Sequence, residues 1–407
     1  MTAPPPGHGA PADGTAGADA FVRPVAFRCA GADPSRAGGA DPSRAGVADP
    51  AAAPPRLLDL SPDEISEICV SMGEKPYRGR QLAGWLFRRG AESFGEMTDV
   101  SLSCRRMLER SCSIGPAMVP EARDSSPDGA VKTLWRLPDG LRTESVLIPD
   151  GERYTLCVSS QAGCAAGCLF CRTGAMGLGR NLTQGEILVQ ALRSRRAAPG
   201  GAPVTNLVFM GMGEPFHNLK NVRGALGILN DPEFMAFPRR QTTVSTIGVT
   251  PALKALTAAE MKTSLAVSLN SPFQEERDRL MPGTRTYPLS GLREAIRDLP
   301  MRKGRRITLA YVLLGCVNDT PAHAEALAVW CAGLRVKINL IPFNPWPGSP
   351  FRRPSDAAVE AFRGTLTSRN LTALTRKSYG SGVSAACGQL AGQSESARYA
   401  DGTAPGP

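Results

Sequence analysis

Apolar positions change their spacing twice along the chain, dividing it into a helical segment, a hairpin and a series of strand–helix repeats. From 61 to about 114, Ile65, Ile68, Leu82, Trp85, Leu86, Phe94, Leu102 and Leu108 recur at helical intervals broken at Gly73, Gly90 and Gly95, which predicts a small helical domain. Its first helix opens on Ser61, Pro62, Asp63 and Glu64: an N-cap hydroxyl, a proline at the first helical position and a capping-box acid. Between 131 and 148, two extended runs flank Pro138, Asp139 and Gly140, the turn chemistry of an antiparallel hairpin. Strand-like runs at 154–160, 204–210, 241–247, 263–269, 306–314 and 336–342 then alternate with helical stretches. Six such repeats predict an α/β fold with a parallel, incomplete (βα)6 barrel. Chemistry in such folds collects at the C-terminal strand ends, where residues from Cys164 onward, 211–215, Ser245, Asn270 and Asn318 fall.

Composition refines the outer boundaries. Residues 1–55 are rich in Ala, Gly and Pro and carry ADPSRAG twice, at 32–38 and 40–46, with little to build a core, so disorder is expected there. The same holds for the polar stretch 393–407. The expected order is therefore a tail to 55, a helical accessory domain at 56–115, a hairpin extension at 116–150, the barrel at 151–392 and a second tail. The start has no cationic segment followed by an apolar one, and no apolar run approaches a membrane span, so a cytoplasmic protein without membrane attachment is expected. The formal net charge of +10 suits a polyanionic partner. In the helical segment Lys75, Arg78, Arg80, Arg88, Arg89, Arg105, Arg106 and Arg110 could contact phosphates or form a solvated face.

Eleven cysteines in a reducing compartment point to metal binding or thiol chemistry rather than a disulfide framework. Cys164, Cys168 and Cys171 place three thiols within eight residues just after a strand, with Gly163 and Gly167 permitting a tight loop around a bulky group. Three local ligands would leave one iron of a [4Fe-4S] cluster open to a small molecule. The competing readings are buried structural thiols, or a zinc loop that His8, His217 and His323 could hardly complete. The turn Gly211-Met212-Gly213-Glu214-Pro215 follows an apolar strand, with glycines allowing close backbone approach and a carboxylate able to hold an ammonium group.

The C-x3-C-x2-C spacing, with an aromatic residue before the last cysteine, resembles the signature of the radical S-adenosylmethionine (SAM) superfamily. The segments LRTESVLIP, LCVSSQAGC, GMGEP, VSTIGV, SLN, YVLLGCVND, NLIPFNP and AACGQLAG follow in order over 141–392 and resemble the RlmN/Cfr family of RNA adenine methyltransferases. EKPYRGRQLAGWLFRRG and FGEMTDVSLSCRRML resemble that family's N-terminal accessory domain, an RNA-binding element, so the likeness spans about 57–392.

The resemblance implies a [4Fe-4S] cluster on Cys164, Cys168 and Cys171, and two SAM molecules per turnover. It implies SAM contacts at Gly213, Glu214, Ser245, Ser268, Leu269, Asn270 and Asn318, with Asn270 standing where relatives often have His. One SAM would methylate Cys387, and the 5′-deoxyadenosyl radical cut from another would take a hydrogen from that methyl group. Cys157 would then resolve the RNA adduct by forming a disulfide with Cys387, and Glu144 would accept a proton at the substrate base. The implied reaction is methylation at C2 of adenine 2503 in 23S rRNA and of adenine 37 in tRNAs. Flavodoxin or ferredoxin would be the electron donor, and a monomer is expected. C8 methylation of the same rRNA adenine is the nearest rival, and a non-catalytic RNA-binding iron–sulfur protein is the rival from another class. The remaining cysteines, among them Cys69, Cys104, Cys112, Cys316 and Cys331, are expected to be structural.

Overall fold

A computed structural model describes residues 54–392. The expected disordered tails, including the tandem repeat, lie outside the described residues apart from Pro54 and Pro55.

The N-terminal segment is helical, as its periodicity predicts: α1 (Pro62–Ser71), α2 (Tyr77–Ala83) and α3 (Leu102–Ser111). The capping box forms, the Ser61 hydroxyl accepting from Glu64 N–H at 3.2 Å and the Glu64 carboxylate accepting from Ser61 N–H at 2.7 Å. Of the basic set, Lys75, Arg80, Arg88, Arg89, Arg106 and Arg110 are exposed. Arg78 and Arg105 are half-buried and turn inward, to Gln81 and to the Gly95 carbonyl. The apolar residues of the helices join the same continuous core as the strands that follow, so the segment is docked rather than free-standing. Leu58 and Leu60 carbonyls accept from the Gln184 amide, and the Asp59 carboxylate accepts from Gly185 N–H.

The remaining strands and helices run in the order β1 (Val119–Ser125), β2 (Val131–Arg136), β3 (Arg142–Asp150), β4 (Arg153–Cys157), β5 (Gln161–Gly163), α4 (Arg172–Ala175), β6 (Leu178–Asn181), α5 (Gln184–Arg196), β7 (Val204–Phe209) and α6 (Leu219–Leu229). They continue as β8 (Thr242–Thr246), α7 (Thr250–Lys254), β9 (Ser264–Ser268), α8 (Gln274–Leu280), α9 (Leu289–Asp298), β10 (Ile307–Leu313), α10 (Pro321–Cys331), β11 (Val336–Pro342), α11 (Asp356–Ser368) and β12 (Ala373–Thr375). One ten-stranded sheet has the order β1-β2-β3-β4-β7-β8-β9-β10-β11-β12, antiparallel as far as β4 and parallel from β4 to β12.

All six predicted strands of the incomplete barrel are present, and β12 adds a short seventh. The hairpin around Gly140 forms, but β3 pairs with β4 along 146–150, so the hairpin is the antiparallel wing of the barrel sheet. β5 and β6 form a separate two-stranded ribbon that carries the cysteine loop between them. Among the described residues no helix is long and apolar enough to cross a membrane.

Candidate functional site

The cysteine loop is built by close backbone contact. Gly163, at the end of β5, has φ +84°, and a Cβ there would lie 2.1 Å from the Gly177 carbonyl oxygen, so only glycine fits. Cys164 N–H donates to that same carbonyl at 2.7 Å. Further on, Leu169 N–H donates to Leu280 O at 2.9 Å, and Gly283 N–H donates to Ala166 O at 2.9 Å, fastening the loop to the end of α8. Cys171 is the N-cap of α4.

Cys164, Cys168 and Cys171 line one cavity of about 160 Å³ at the C-terminal ends of the parallel strands. Burial pushes the Cys164 thiol up to about 12, raises Cys168 well above the ordinary thiol range and raises Cys171 in the same direction. Without a metal group these are neutral thiols, and metal binding must displace their protons. Among the described residues no three His, Cys, Asp or Glu side chains are grouped to hold a single metal ion. Three thiols arranged around a cavity, with no fourth protein ligand, fit the larger inorganic cluster that the spacing suggests rather than a closed zinc site.

The opposite walls carry most of the expected SAM contacts: Gly213, Glu214, Ser245, Ser268 and Asn270 all line the cavity. Gly213 has φ +102°, and a Cβ there would stand 2.6 Å from the Gln161 side chain. The buried Glu214 carboxylate accepts from Phe216 N–H at 2.9 Å and Ile247 N–H at 2.8 Å. Burial outweighs those bonds and raises Glu214 to about 7. The Ser245 hydroxyl donates to the Phe209 carbonyl at 2.7 Å. Asn270 adopts φ +60° and accepts from Val312 N–H at 2.8 Å.

Leu269 and Asn318 are not on the cavity wall. Leu269 is part of the apolar core. Asn318 is fully buried, with its amide donating to the Asn270 and Val312 carbonyls and accepting from Leu314 N–H. It holds the turn that presents Asn270.

Cys387 reaches the site on the chain that returns after β12. Gly388 O accepts from Arg172 N–H at 2.8 Å, the Asn344 amide donates to Cys387 O at 3.2 Å, and the Gln389 amide donates to Pro345 O at 2.7 Å. Cys387 lines the three-thiol cavity and also a small adjoining one of about 30 Å³, where Cys157 at the end of β4 forms part of the wall. The Cys157 thiol is pushed up to about 12, chiefly by burial and then by Cys387. Val146, Met212, Val383, Ala385 and Leu390 pack with Cys157 in a small apolar cluster.

Glu144 lies elsewhere. It is fully buried on β3, 3.8 Å from Lys132 Nζ, accepts from Ala391 N–H at 3.3 Å, and lines neither cavity.

Two arginines in the site have no sequence signal comparable to that of the cysteines. Arg376, just past β12, lines both cavities, donates to the Met210 sulfur at 3.4 Å, and has its positive charge favoured by Cys387 and then Cys157. Arg277 on α8 is fully buried, and burial lowers it to about 10. Neither stands in a glycine- or cysteine-marked segment, and a lone arginine among 47 basic residues gives no warning of burial.

Comparison with known proteins accounts for this arrangement. A family model described as the ribosomal RNA large subunit methyltransferase N-terminal domain matches residues 56–114, and the radical SAM superfamily model matches 158–326. The chain is 46% identical to a protein of Anaeromyxobacter dehalogenans named dual-specificity RNA methyltransferase RlmN, over 83% of this chain and 92% of that one. It is 47% identical to the protein of the same name from Geobacter sulfurreducens, over 82% and 91%. A crystal structure of a radical SAM methyltransferase from Sphaerobacter thermophilus superimposes with a TM-score of 0.79 at 42% identity, covering 84% of this chain and all of that one. The chain belongs to the RlmN family of radical SAM RNA methyltransferases.

Proposed function

We propose that the chain methylates C2 of adenine 2503 in 23S rRNA and C2 of adenine 37 in tRNAs, with Cys387 as the methyl carrier and Cys157 as the resolving thiol. The observation that carries this reading is the position of Cys387 on the wall shared by the three-thiol cavity and the small cavity of Cys157. A non-catalytic RNA binder would have no use for that pair.

The family uses a [4Fe-4S] cluster and SAM. When bound they supply a transferable methyl group and a 5′-deoxyadenosyl radical, the means of functionalising an electron-poor aromatic carbon. Cys164, Cys168 and Cys171 would hold the cluster. Glu214 would hold the SAM ammonium, Ser245, Ser268 and Asn270 would position its remaining polar groups, and Gly213 would admit it closely. Asn318 and Leu269 act from behind, by fixing the Asn270 turn.

Cys387 receives the methyl group on its sulfur and presents it to the cavity. After the carbon has bonded to the base, the Cys157 thiolate attacks the Cys387 sulfur, the S–S bond forms as the C–S bond breaks, and the RNA leaves methylated. Arg376 stands where a cation favours the thiolate forms of both cysteines. The resulting disulfide needs two electrons to return to the dithiol, for which a flavodoxin- or ferredoxin-type donor to a monomeric cytoplasmic enzyme is suitable. Glu144 can accept a proton from the base only if the segment around Ala391 that covers it moves aside.

The test is anaerobic incubation of reconstituted protein with rRNA fragments, tRNA and methyl-labelled SAM, followed by mass mapping of the modified adenine. Label at C2 supports the proposal. Label at C8, or no label in RNA despite SAM cleavage, would contradict it.

A further inference from the structure

α8 backs directly onto the cysteine loop. Its last residue, Leu280, accepts from Leu169 N–H, and Gly283 beyond it donates to Ala166 O, so the backbone is pinned on both sides of Cys168. A Cβ at Gly283 would lie 2.8 Å from Ala166 backbone atoms, leaving no slack between the two segments. Arg277 stands one turn before Leu280 and is fully buried.

Its hydrogen bonding is incomplete. One terminal nitrogen donates to Ile247 O at 2.6 Å and the other to Tyr287 O at 3.2 Å, while Nε is buried with no acceptor. No carboxylate forms an ion pair with it among the described residues. A buried guanidinium without a counter-charge costs several kcal/mol. Two carbonyls alone do not explain a full charge, because a neutral amide can donate to a carbonyl as well. Of the groups that act on Cys168, its neighbours Cys171 and Cys164 and the Glu214 carboxylate oppose the thiolate, and Arg277 favours it.

We propose that Arg277 is the built-in counter-charge of the iron–sulfur cluster, set behind Cys168 to stabilise the cluster's reduced, more negative state. The inference rests on the reading of Cys164, Cys168 and Cys171 as cluster ligands. In the step concerned, one electron from a low-potential donor enters the cluster. No bond forms or breaks and no proton moves, so the site gains one negative charge. A fixed cation in a low-dielectric setting lowers the energy of that state and raises the reduction potential. Arg277 touches no reacting atom and is a positioning residue for charge.

The test compares wild type, Arg277→Gln and Arg277→Lys, each prepared without metal and after anaerobic reconstitution. It reads iron and sulfide content, the dithionite titration followed by electron paramagnetic resonance, and thermal unfolding. At the wild-type midpoint the reduced-to-oxidised ratio in Arg277→Gln should fall about tenfold, equivalent to about 59 mV for a one-electron couple. Arg277→Lys should shift less. Metal-free Arg277→Gln should melt no lower than metal-free wild type, whereas the loaded variant should melt below loaded wild type, because the charge is a burden until the cluster answers it. An unchanged midpoint, equal shifts in both variants, or a metal-free Arg277→Gln that fails to fold would overturn the inference and make Arg277 a hydrogen-bond staple. Wild type that takes up no iron and sulfide would instead overturn the ligand reading beneath it.

Discussion

At the scale of single residues, the chemistry depends on giving five similar thiols different work. Cys164, Cys168 and Cys171 are fixed by their loop, whereas Cys387 and Cys157 arrive from opposite ends of the barrel sequence and meet at the small cavity. Cys387→Ala should abolish methyl transfer while leaving iron content and the brown cluster absorbance intact, and loss of iron in that variant would contradict the division of roles. Cys157→Ala should let the carbon–base bond form but block release, leaving protein covalently joined to RNA on a denaturing gel. Normal turnover would remove Cys157 from the reaction.

Because the Cys157 thiol is pushed up to about 12 and only its thiolate attacks, release should quicken as pH rises. Adduct decay should increase about tenfold per pH unit between roughly pH 7 and 9, and a flat profile would contradict thiolate attack. Glu214 sets a dependence at lower pH. Its pKa is raised to about 7, so the anion that would hold an ammonium group is progressively lost as pH falls below that value. SAM affinity measured calorimetrically on reconstituted protein should weaken below about pH 7, and pH-independent binding would exclude Glu214 from the ammonium site.

At the scale of elements, what was legible in the sequence is what periodicity and turn chemistry control. The capped first helix, the turn at Gly140 and six parallel strands follow from local pattern. β1 was missed because its residues, Val119–Ser125, are largely exposed and polar and pair only on one edge. β12 was missed because three residues carry no period. That omission mattered, since β12 aims Arg376 and the chain leading to Cys387 into the site. The hairpin was read as an extension because its pairing with β4 is a long-range contact, invisible to local pattern. Asn318 was placed among the ligand contacts by its strand-end position, but the fold spends its amide on the backbone of the Asn270 turn. The element most sensitive to substitution is the cysteine loop. Gly163→Ala puts a Cβ into the Gly177 carbonyl at φ +84°. It should cost roughly 1–3 kcal/mol in backbone strain alone and leave iron substoichiometric after reconstitution. Full iron loading with unchanged melting would contradict the close packing described.

At the scale of the whole molecule, a helical segment that shares its core with the barrel presents exposed Arg80, Arg88, Arg106 and Arg110. That continuity makes it suited to hold RNA in a fixed relation to the site, since a docked segment cannot swing freely. The decisive proposition, however, concerns the returning chain: its cysteine takes the methyl group before RNA does. Reconstituted protein should therefore be incubated anaerobically with methyl-labelled SAM in the absence of RNA, freed of SAM, digested and read by mass spectrometry. The label should sit on the peptide containing Cys387 and pass to adenine C2 when RNA and fresh unlabelled SAM are added. Unlabelled Cys387 in protein that goes on to methylate RNA would contradict the account.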